Sequence, residues 1–361
     1  MANLFDPVQL GAVALRNRIV MAPMTRTRAS EGRVPNDLMR LYYSQRAGAG
    51  LILTEATSVS PQGVGYPNTP GIWSSAQVDG WRKITSAVHD KGGKIFVQLW
   101  HVGRVSDPEH LNGEIPVAPS AIACAGHVSL LRPKRNYVVP RALHAEEIPR
   151  ITQDFADAAG HARDAGFDGI EIHAANGYLI DQFLQDGTNK RQDGYGGSIE
   201  NRARFLMEIV DACSSVWGAG RIGVHLSPYG TAHGIHDSDP DTLFTYVARE
   251  LSRRSVGFLF LREAPGHEDL TDAIRSEFDG SLIVNQDYTL DRAEQVVAEG
   301  RADAVAFGRP FISNPDLVRR LKTGAPLQPF DTSTFYGDGP AGYVDYSCCA
   351  CDTPILNEAC S

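Results

Sequence analysis

The 361-residue sequence is short of several things, and each shortage removes a class of protein. Six cysteines in a chain of this length do not make a disulfide scaffold, and four of them crowd into the closing "CCACDTPILNEAC". No uninterrupted apolar run reaches the ~18 residues that suggest a membrane span, so no membrane partner is expected. The opening "MANLFDPVQLGAVALRNRIV" lacks a basic stretch followed by a continuous apolar core, so no secretory leader is expected and the setting is read as cytoplasmic. Positive charge is scarce: 34 Lys and Arg against 43 Asp and Glu leave a net charge of -9, which offers no field for nucleic acid. There is no H-E-x-x-H, and no H-x-H at the first strand. His173 and His225 are two imidazoles without a clear carboxylate, so no metal is expected.

What is present is rhythm. Short β-branched runs begin at Arg18 ("RIVMAPM"), Gly50 ("GLILTEA"), Lys94 ("KIFVQLW") and Gly169 ("GIEIHAA"). Four more follow at Arg221 ("RIGVHLS"), Gly257 ("GFLFLRE"), Ser281 ("SLIVNQD") and Ala302 ("ADAVAFG"). Most gaps between them carry apolar residues at helical spacing, as in "DGWRKITSAVHDKGG", "ITQDFADAAGHARDAG" and "SIENRARFLMEIVDACSSVWG". "PDTLFTYVAREL", "LDRAEQVVAEG" and "NPDLVRRLKTG" continue the series, and Gly92, Gly93, Gly166 and Gly300 stand at helix stops. Near-continuous apolar strands alternating with helices imply a parallel sheet, and eight such units most simply close into a (β/α)8 TIM barrel, an α/β fold. An open doubly wound sheet is the alternative, but no strand here runs into a G-x-G-x-x-G turn. His101 to Ala145, rich in Pro, Gly and polar residues, is too long for a plain connection and is expected to form a hairpin or cap over the barrel mouth after the third strand. No linker divides the chain, so residues 1–361 read as one domain.

In such a barrel the active site gathers where strands end. The ends are Pro23, Met24 and Thr25; Glu55, Ala56 and Thr57; Gln98, Trp100 and His101; His173, Asn176 and Tyr178. Later strands add His225 and Ser227, Arg262 and Glu263, Asn285 and Gln286, and Gly308 with Arg309. Loops after strands seven and eight often bind a phosphate, and Gly308 beside Arg309 suits one, although a plain Gly turn would read the same. Amides, hydroxyls, imidazoles and aromatics suit a planar polar heterocycle better than a metal.

"HAANGYLIDQFL" followed by "NKRQDGYGGSIENRARF" resembles the central signature of the old yellow enzyme family of flavin-dependent ene-reductases. "MAPMTRTRA", "LTEAT", "VQLWHVGR" and "AVAFGRPFISNPDLV" are similar to the family's other motifs and lie in the same order, up to about Tyr346. The resemblance implies a barrel holding FMN, reduced by NADPH or NADH and reoxidised by an α,β-unsaturated carbonyl or nitro compound. It implies that Pro23, Met24, Thr25, Ala56 and Gln98 line the flavin, that Gly308 and Arg309 hold its phosphate, and that Asn285 and Gln286 contribute nearby. His173 and Asn176 would donate to the substrate oxygen, and Tyr178 would deliver the proton. Tyr66 and Tyr343 match aromatic positions that flank the family's substrate pocket, and Trp100 at its strand end is expected to border the substrate. Each has a plainer reading, as strand end, core aromatic or loop packing. A nitrate-ester or nitroaromatic reductase would use the same site, while a metal-dependent barrel hydrolase and a non-catalytic FMN-binding protein are readings from other classes. A monomer or homodimer is equally compatible.

Two departures from the family pattern stand out. His225 occupies a position that is commonly Arg in the family, beside flavin N1 and O2, and imidazole titrates near neutrality where guanidinium does not, so flavin reduction is expected to be pH dependent. Residues 347–361, "SCCACDTPILNEACS", exceed the family's usual end and are expected to be a disordered Cys-rich tail, its spacing fitting no zinc site.

Overall fold

A computed structural model describes residues 2–349. Eight parallel strands form the barrel: β1 (Ile19–Met21), β2 (Leu51–Leu53), β3 (Ile95–Trp100), β4 (Gly169–His173), β5 (Ile222–Leu226), β6 (Phe258–Arg262), β7 (Ser281–Asn285) and β8 (Ala304–Phe307). Each pairs with the next, and β8 returns to β1 through Val305 opposite Ile19, so no edge is left open. All eight apolar runs of the sequence are strands.

Of the ten α-helices among the described residues, eight complete the βα units: α1 (Asp37–Gln45), α2 (Ser75–Asp90), α3 (Ile148–Asp164), α4 (Ile199–Trp217), α5 (Pro240–Arg253), α6 (Glu268–Glu277), α7 (Leu290–Ala298) and α8 (Leu317–Thr323). Helix α2 starts at a Ser74–Gln77 capping box that satisfies two backbone N–H groups. Gly92, Gly166 and Gly300 take positive φ after α2, α3 and α7, the conformation a helix stop requires. Helices α1 and α6 were not distinguished in the sequence. They are short, and α6 buries only Leu270, Thr271 and Ile274, too few to set up a periodic stripe.

The region between His101 and Ala145 does cap the mouth. It is no simple hairpin: Val117–Ala118 pairs in parallel with Arg141–Ala142, and His127 bridges Asn136. Val102, Val105, Cys124, Val128, Leu131 and Tyr137 pack together on Tyr66 and Trp100, which seats the cap on the end of β3. At the opposite end an antiparallel hairpin, Val8–Leu10 with Val13–Leu15, plugs the barrel, its Leu10, Val13 and Leu15 packing on Leu51, Phe96 and Phe258. Gly11 turns this hairpin at φ +52, and a Cβ there would lie 2.2 Å from the Gly220 carbonyl oxygen, so only glycine fits.

The start of the expected disordered tail is ordered. The Ser347 carbonyl accepts from Arg320, and the Cys349 amide donates to Asp316 at 2.6 Å. Residues 350–361, with Cys351 and Cys360, lie outside the described residues. Among the described residues no helix is long and apolar enough to cross a membrane.

Candidate active site

The period of two along a strand decides what each barrel residue faces. On β3 it turns Phe96, Gln98 and Trp100 inward in succession; on β4, Glu171 and His173; on β6, Phe258, Phe260 and Arg262. The interior is thus apolar near the plug and polar at the mouth. Registration then fixes the contacts. Gln98 lies opposite Glu171, and its Nε2 donates to Glu171 Oε2 at 2.7 Å. His225 lies opposite both His173 and Phe260, with ring centroids 5.0 and 4.5 Å away. Gln98 Nε2 is also 3.2 Å from His225 Nδ1, which places the imidazole hydrogen on Nε2.

Two connected chambers open at the mouth. The larger, about 730 Å³, is lined by Pro23, Met24, Thr25, His225, Asn285, Gln286, Gly308 and Arg309, under a roof of Phe330, Phe335 and Tyr336. The smaller, about 210 Å³, is lined by Ala56, Gln98, Trp100, His173, Tyr178 and His233. Pro23, Thr25, Asn176, His225 and Arg262 belong to both. These sizes lie near and within the range of small-molecule sites.

The donors of the small chamber are set by what lies behind them. His173 Nδ1 accepts from the Ala175 amide at 3.4 Å, and burial holds its imidazolium pKa down to about 3, so a neutral ring presents Nε2–H. Asn176 sits at φ +56, in the tight "AANG" turn, with its amide nitrogen donating to Ser227 Oγ at 2.8 Å. Its Oδ1 accepts from Arg262 Nη1 at 2.9 Å, which fixes the side chain with the Nδ2 hydrogens as the free donors. Tyr178 packs edge-on against Trp100 and His173, at 4.9 and 5.0 Å, and burial keeps its phenol protonated well above the usual range. Tyr66 stacks on Trp100 at 5.3 Å and meets Tyr178 hydroxyl to hydroxyl at 2.9 Å.

Tyr343 is placed elsewhere, against the expectation of a substrate aromatic. It is fully buried, stacked on Tyr42 at 4.1 Å, with the Arg26 and Arg28 guanidiniums over its ring at 5.0 and 4.6 Å. Those arginines also hold the C-terminal segment across the mouth, through the carbonyls of Thr334, Phe335 and Gly342. The aromatic that this segment brings to the chamber is Tyr336. The Tyr343 hydroxyl is buried without a partner. Tyr343→Phe is therefore expected to leave the KM for substrate unchanged and to alter stability by no more than about 1 kcal/mol, in the stabilising direction, as melting curves would show.

Arg262 was legible as a strand end but not as a site residue. Its Nε donates to Gln286 Oε1 at 3.1 Å and its Nη1 to Asn176, both neutral, and no carboxylate pairs with it among the described residues. Arg309 likewise has no ion pair there, only the Phe330 ring at 5.9 Å. Two uncompensated guanidiniums and the buried, unpartnered His225 Nε2–H all face the large chamber. This donor set fits an anionic group near Gly308 and an electron-rich heterocycle beside Arg262. Burial, followed by His173 and Arg262, holds His225 well below its usual pKa, so it is neutral where the sequence suggested titration.

Glu171, beneath the two chambers, is one of the buried carboxyls that desolvation raises far above the usual carboxylate range. Burial pushes it up to about 8, against the hydrogen bond from Gln98, which pulls it down. The folded protein thus keeps a proton that the unfolded chain releases near pH 4.5. The contribution of this group to stability is complete below that pH and falls, by at most about 1.4 kcal/mol per pH unit, as pH rises toward 8. Glu171→Gln is expected to raise the melting temperature more at about pH 8.5 than at about pH 5. An equal rise at both would place the proton elsewhere.

A closed barrel whose mouth carries two guanidiniums without ion pairs and a donor-lined side chamber fits the class of oxidoreductases that hold a flat phosphorylated cofactor and present a second molecule to it. Residues 3–328 match the family described as NADH:flavin oxidoreductase / NADH oxidase. The chain is 43% identical over 368 residues to 12-oxophytodienoate reductase 1 of Oryza sativa subsp. japonica, covering 98% of this chain and 93% of that one. Among solved structures it is similar to the old yellow enzyme homologue from Zymomonas mobilis, with 48% identity, a TM-score of 0.93, and 96% and 99% coverage. It is also similar to morphinone reductase in complex with tetrahydroNAD, with 47% identity, a TM-score of 0.94, and 97% and 98% coverage. The chain belongs to the NADH:flavin oxidoreductase / NADH oxidase family and is an FMN-dependent ene-reductase of the old yellow enzyme type.

Proposed function

We propose that the enzyme reduces the activated C=C bond of α,β-unsaturated carbonyl or nitro compounds, with NADPH as the expected reductant and a cytoplasmic setting. The observation that carries this reading is the convergence of two neutral donors, His173 Nε2–H and Asn176 Nδ2–H, beside the protonated phenol of Tyr178. FMN, when bound in the large chamber, supplies the hydride from its N5.

Arg309 and the Gly308 backbone would hold the FMN phosphate, with Asn285 and Gln286 beside them. Pro23, Met24, Thr25, Ala56 and Gln98 would line the ring system, and Arg262 with His225 would face its polar edge. His173 and Asn176 hold the substrate oxygen and stabilise the negative charge that grows there as the β-carbon is reduced. Neutral donors suit this task, because a charged imidazolium would surrender its proton to the oxygen. Tyr178 gives its proton to the α-carbon. Trp100, with Tyr66 stacked on it, would shape the apolar wall against which a small ring would lie.

An anaerobic visible spectrum of the purified protein tests this reading. Flavin absorption is expected to bleach with NADPH and return on adding 2-cyclohexenone. Bleaching without return would retain the reductive half of the proposal and remove the enone.

A further inference from the structure

We propose that Tyr178 is reloaded with its proton through Tyr66 and His233, a relay that leads from the small chamber to the protein surface. The relay presupposes Tyr178 as the proton donor.

Three consecutive contacts form it. The Tyr178 and Tyr66 hydroxyl oxygens are 2.9 Å apart, Tyr66 Oη is 3.4 Å from His233 Nε2, and His233 Nδ1 is 2.8 Å from the Asn176 carbonyl oxygen. The last contact orders the others. A carbonyl only accepts, so Nδ1 carries the hydrogen and a neutral ring leaves Nε2 bare. Nε2 then takes the Tyr66 hydroxyl hydrogen, and the Tyr66 oxygen is left to accept from Tyr178. Burial and the nearby Arg104 lower the His233 pKa, consistent with that neutral resting ring.

The geometry also supplies a reason for a second entrance. Substrate in the small chamber covers Tyr178, and although His233 also borders that chamber, a proton arriving from water would reach Tyr178 through its Tyr66 side. Tyr66 is buried there, whereas His233 is half-buried in the loop after β5, flanked by exposed Thr231 and Gly234. The loop is held to its task. His233 adopts φ +58, its carbonyl accepts from Arg104 Nη2 at 3.0 Å and from the Cys124 thiol at 3.5 Å, and Gly177 backs it so closely that a Cβ would lie 2.6 Å from the Ala232 carbonyl oxygen. A non-glycine residue in the left-handed region costs about 1 kcal/mol or more, and such strain collects at functional sites. The groups around His233 are Tyr66 and the Asn176 carbonyl at its ring nitrogens, the Tyr178 ring at 5.2 Å, and Arg104 and Cys124 at its backbone carbonyl, with His173 beyond Tyr178.

Proton balance is simple. The Tyr178 hydroxyl turns from Tyr66 to the substrate, and its O–H bond breaks as the C–H bond forms at the α-carbon. Tyr66 turns its hydroxyl and passes its proton to the Tyr178 phenolate. His233, protonated from solvent with the hydroxide or conjugate base left in bulk water, gives Nε2–H to Tyr66 and returns to its neutral form. One proton leaves water and one reaches carbon. Negative charge on Tyr66 raises the proton affinity of the adjacent imidazole at the moment it is required.

The test uses reduced holoenzyme in single turnovers with 2-cyclohexenone, referenced to ferricyanide, which takes electrons without a carbon-bound proton. In Tyr66→Phe and in His233→Asn, the latter chosen because Asn tolerates left-handed backbone, the enone-to-ferricyanide rate ratio is expected to fall about tenfold. The solvent deuterium isotope effect on the enone step should rise in both. Nitrogen NMR of the wild-type holoenzyme should report His233 with Nδ1 protonated and Nε2 bare. A ratio unchanged in both variants, while Tyr178→Phe lowers it, would overturn the relay and leave Tyr178 as donor. A ratio unchanged in Tyr178→Phe would overturn the donor and the relay with it. Protonation at Nε2 instead of Nδ1 would reverse the order of donors and also overturn the relay.

Discussion

Tyr178→Phe is expected to slow enone reduction by about 10² to 10⁴, the range in which a positioned general acid contributes. The change removes one oxygen. The ring keeps its edge-on contacts with Trp100 and His173, so the shape of the small chamber survives. Tyr66 loses a hydrogen-bond partner but retains His233. The loss should therefore fall on kcat with little change in KM, the mark of an interaction made as the reaction proceeds. Burial holds the phenol protonated well above its ordinary pKa, so the wild-type rate should not decline through phenol ionisation anywhere near neutral pH. Stopped-flow reoxidation with 2-cyclohexenone gives the number. A rate within about twofold of wild type would remove Tyr178 from the chemistry.

Asn176→Asp is expected to cost about 10² to 10³ in kcat/KM, corresponding to roughly 2.7 to 4 kcal/mol for losing one preorganised donor to a developing oxyanion. Asp matches Asn in shape and tolerates the φ +56 of this turn. It would keep an oxygen toward Arg262, now as an ion pair. What changes is the face presented to substrate, where an acceptor oxygen replaces the Nδ2 hydrogens and meets growing negative charge of the same sign. His173→Leu removes the companion donor and should show a loss of similar size. If Asn176→Asp retains more than about a tenth of the wild-type kcat/KM, the oxygen of the substrate is held elsewhere.

The position of Arg262 bears on the histidine that stands where the family commonly has arginine. His225 is neutral and buried, and its ring packs against Phe260, two residues before Arg262 on the same face of β6. The guanidinium next to His225 is thus supplied by the neighbouring strand. The charge that varies with pH in this layer belongs to Glu171, connected to His225 through Gln98.

The barrel was legible because its code is local. Eight apolar runs separated by amphipathic stretches specify strands and helices through contacts within a few residues, and closure follows from their number and alternation. The strand ends named most of the residues that the two chambers bring together, since the strand period of two carries alternate residues into the mouth. Helix α6 escaped because too few apolar residues mark it, and α1 and the three-residue strands of the plug because each is too short to show a period. Other features were decided by contacts between distant parts of the chain. Asn176 owes its orientation to Arg262, 86 residues away. Tyr343 is drawn off the substrate wall by Tyr42 and two arginines of the β1 loop, and Tyr336 stands at the chamber in its place. His233 meets Tyr66 across 167 residues. Periodicity carries no information about such pairs. They exist only once the closed sheet sets its strand ends in a ring and the loops between them fold onto one another.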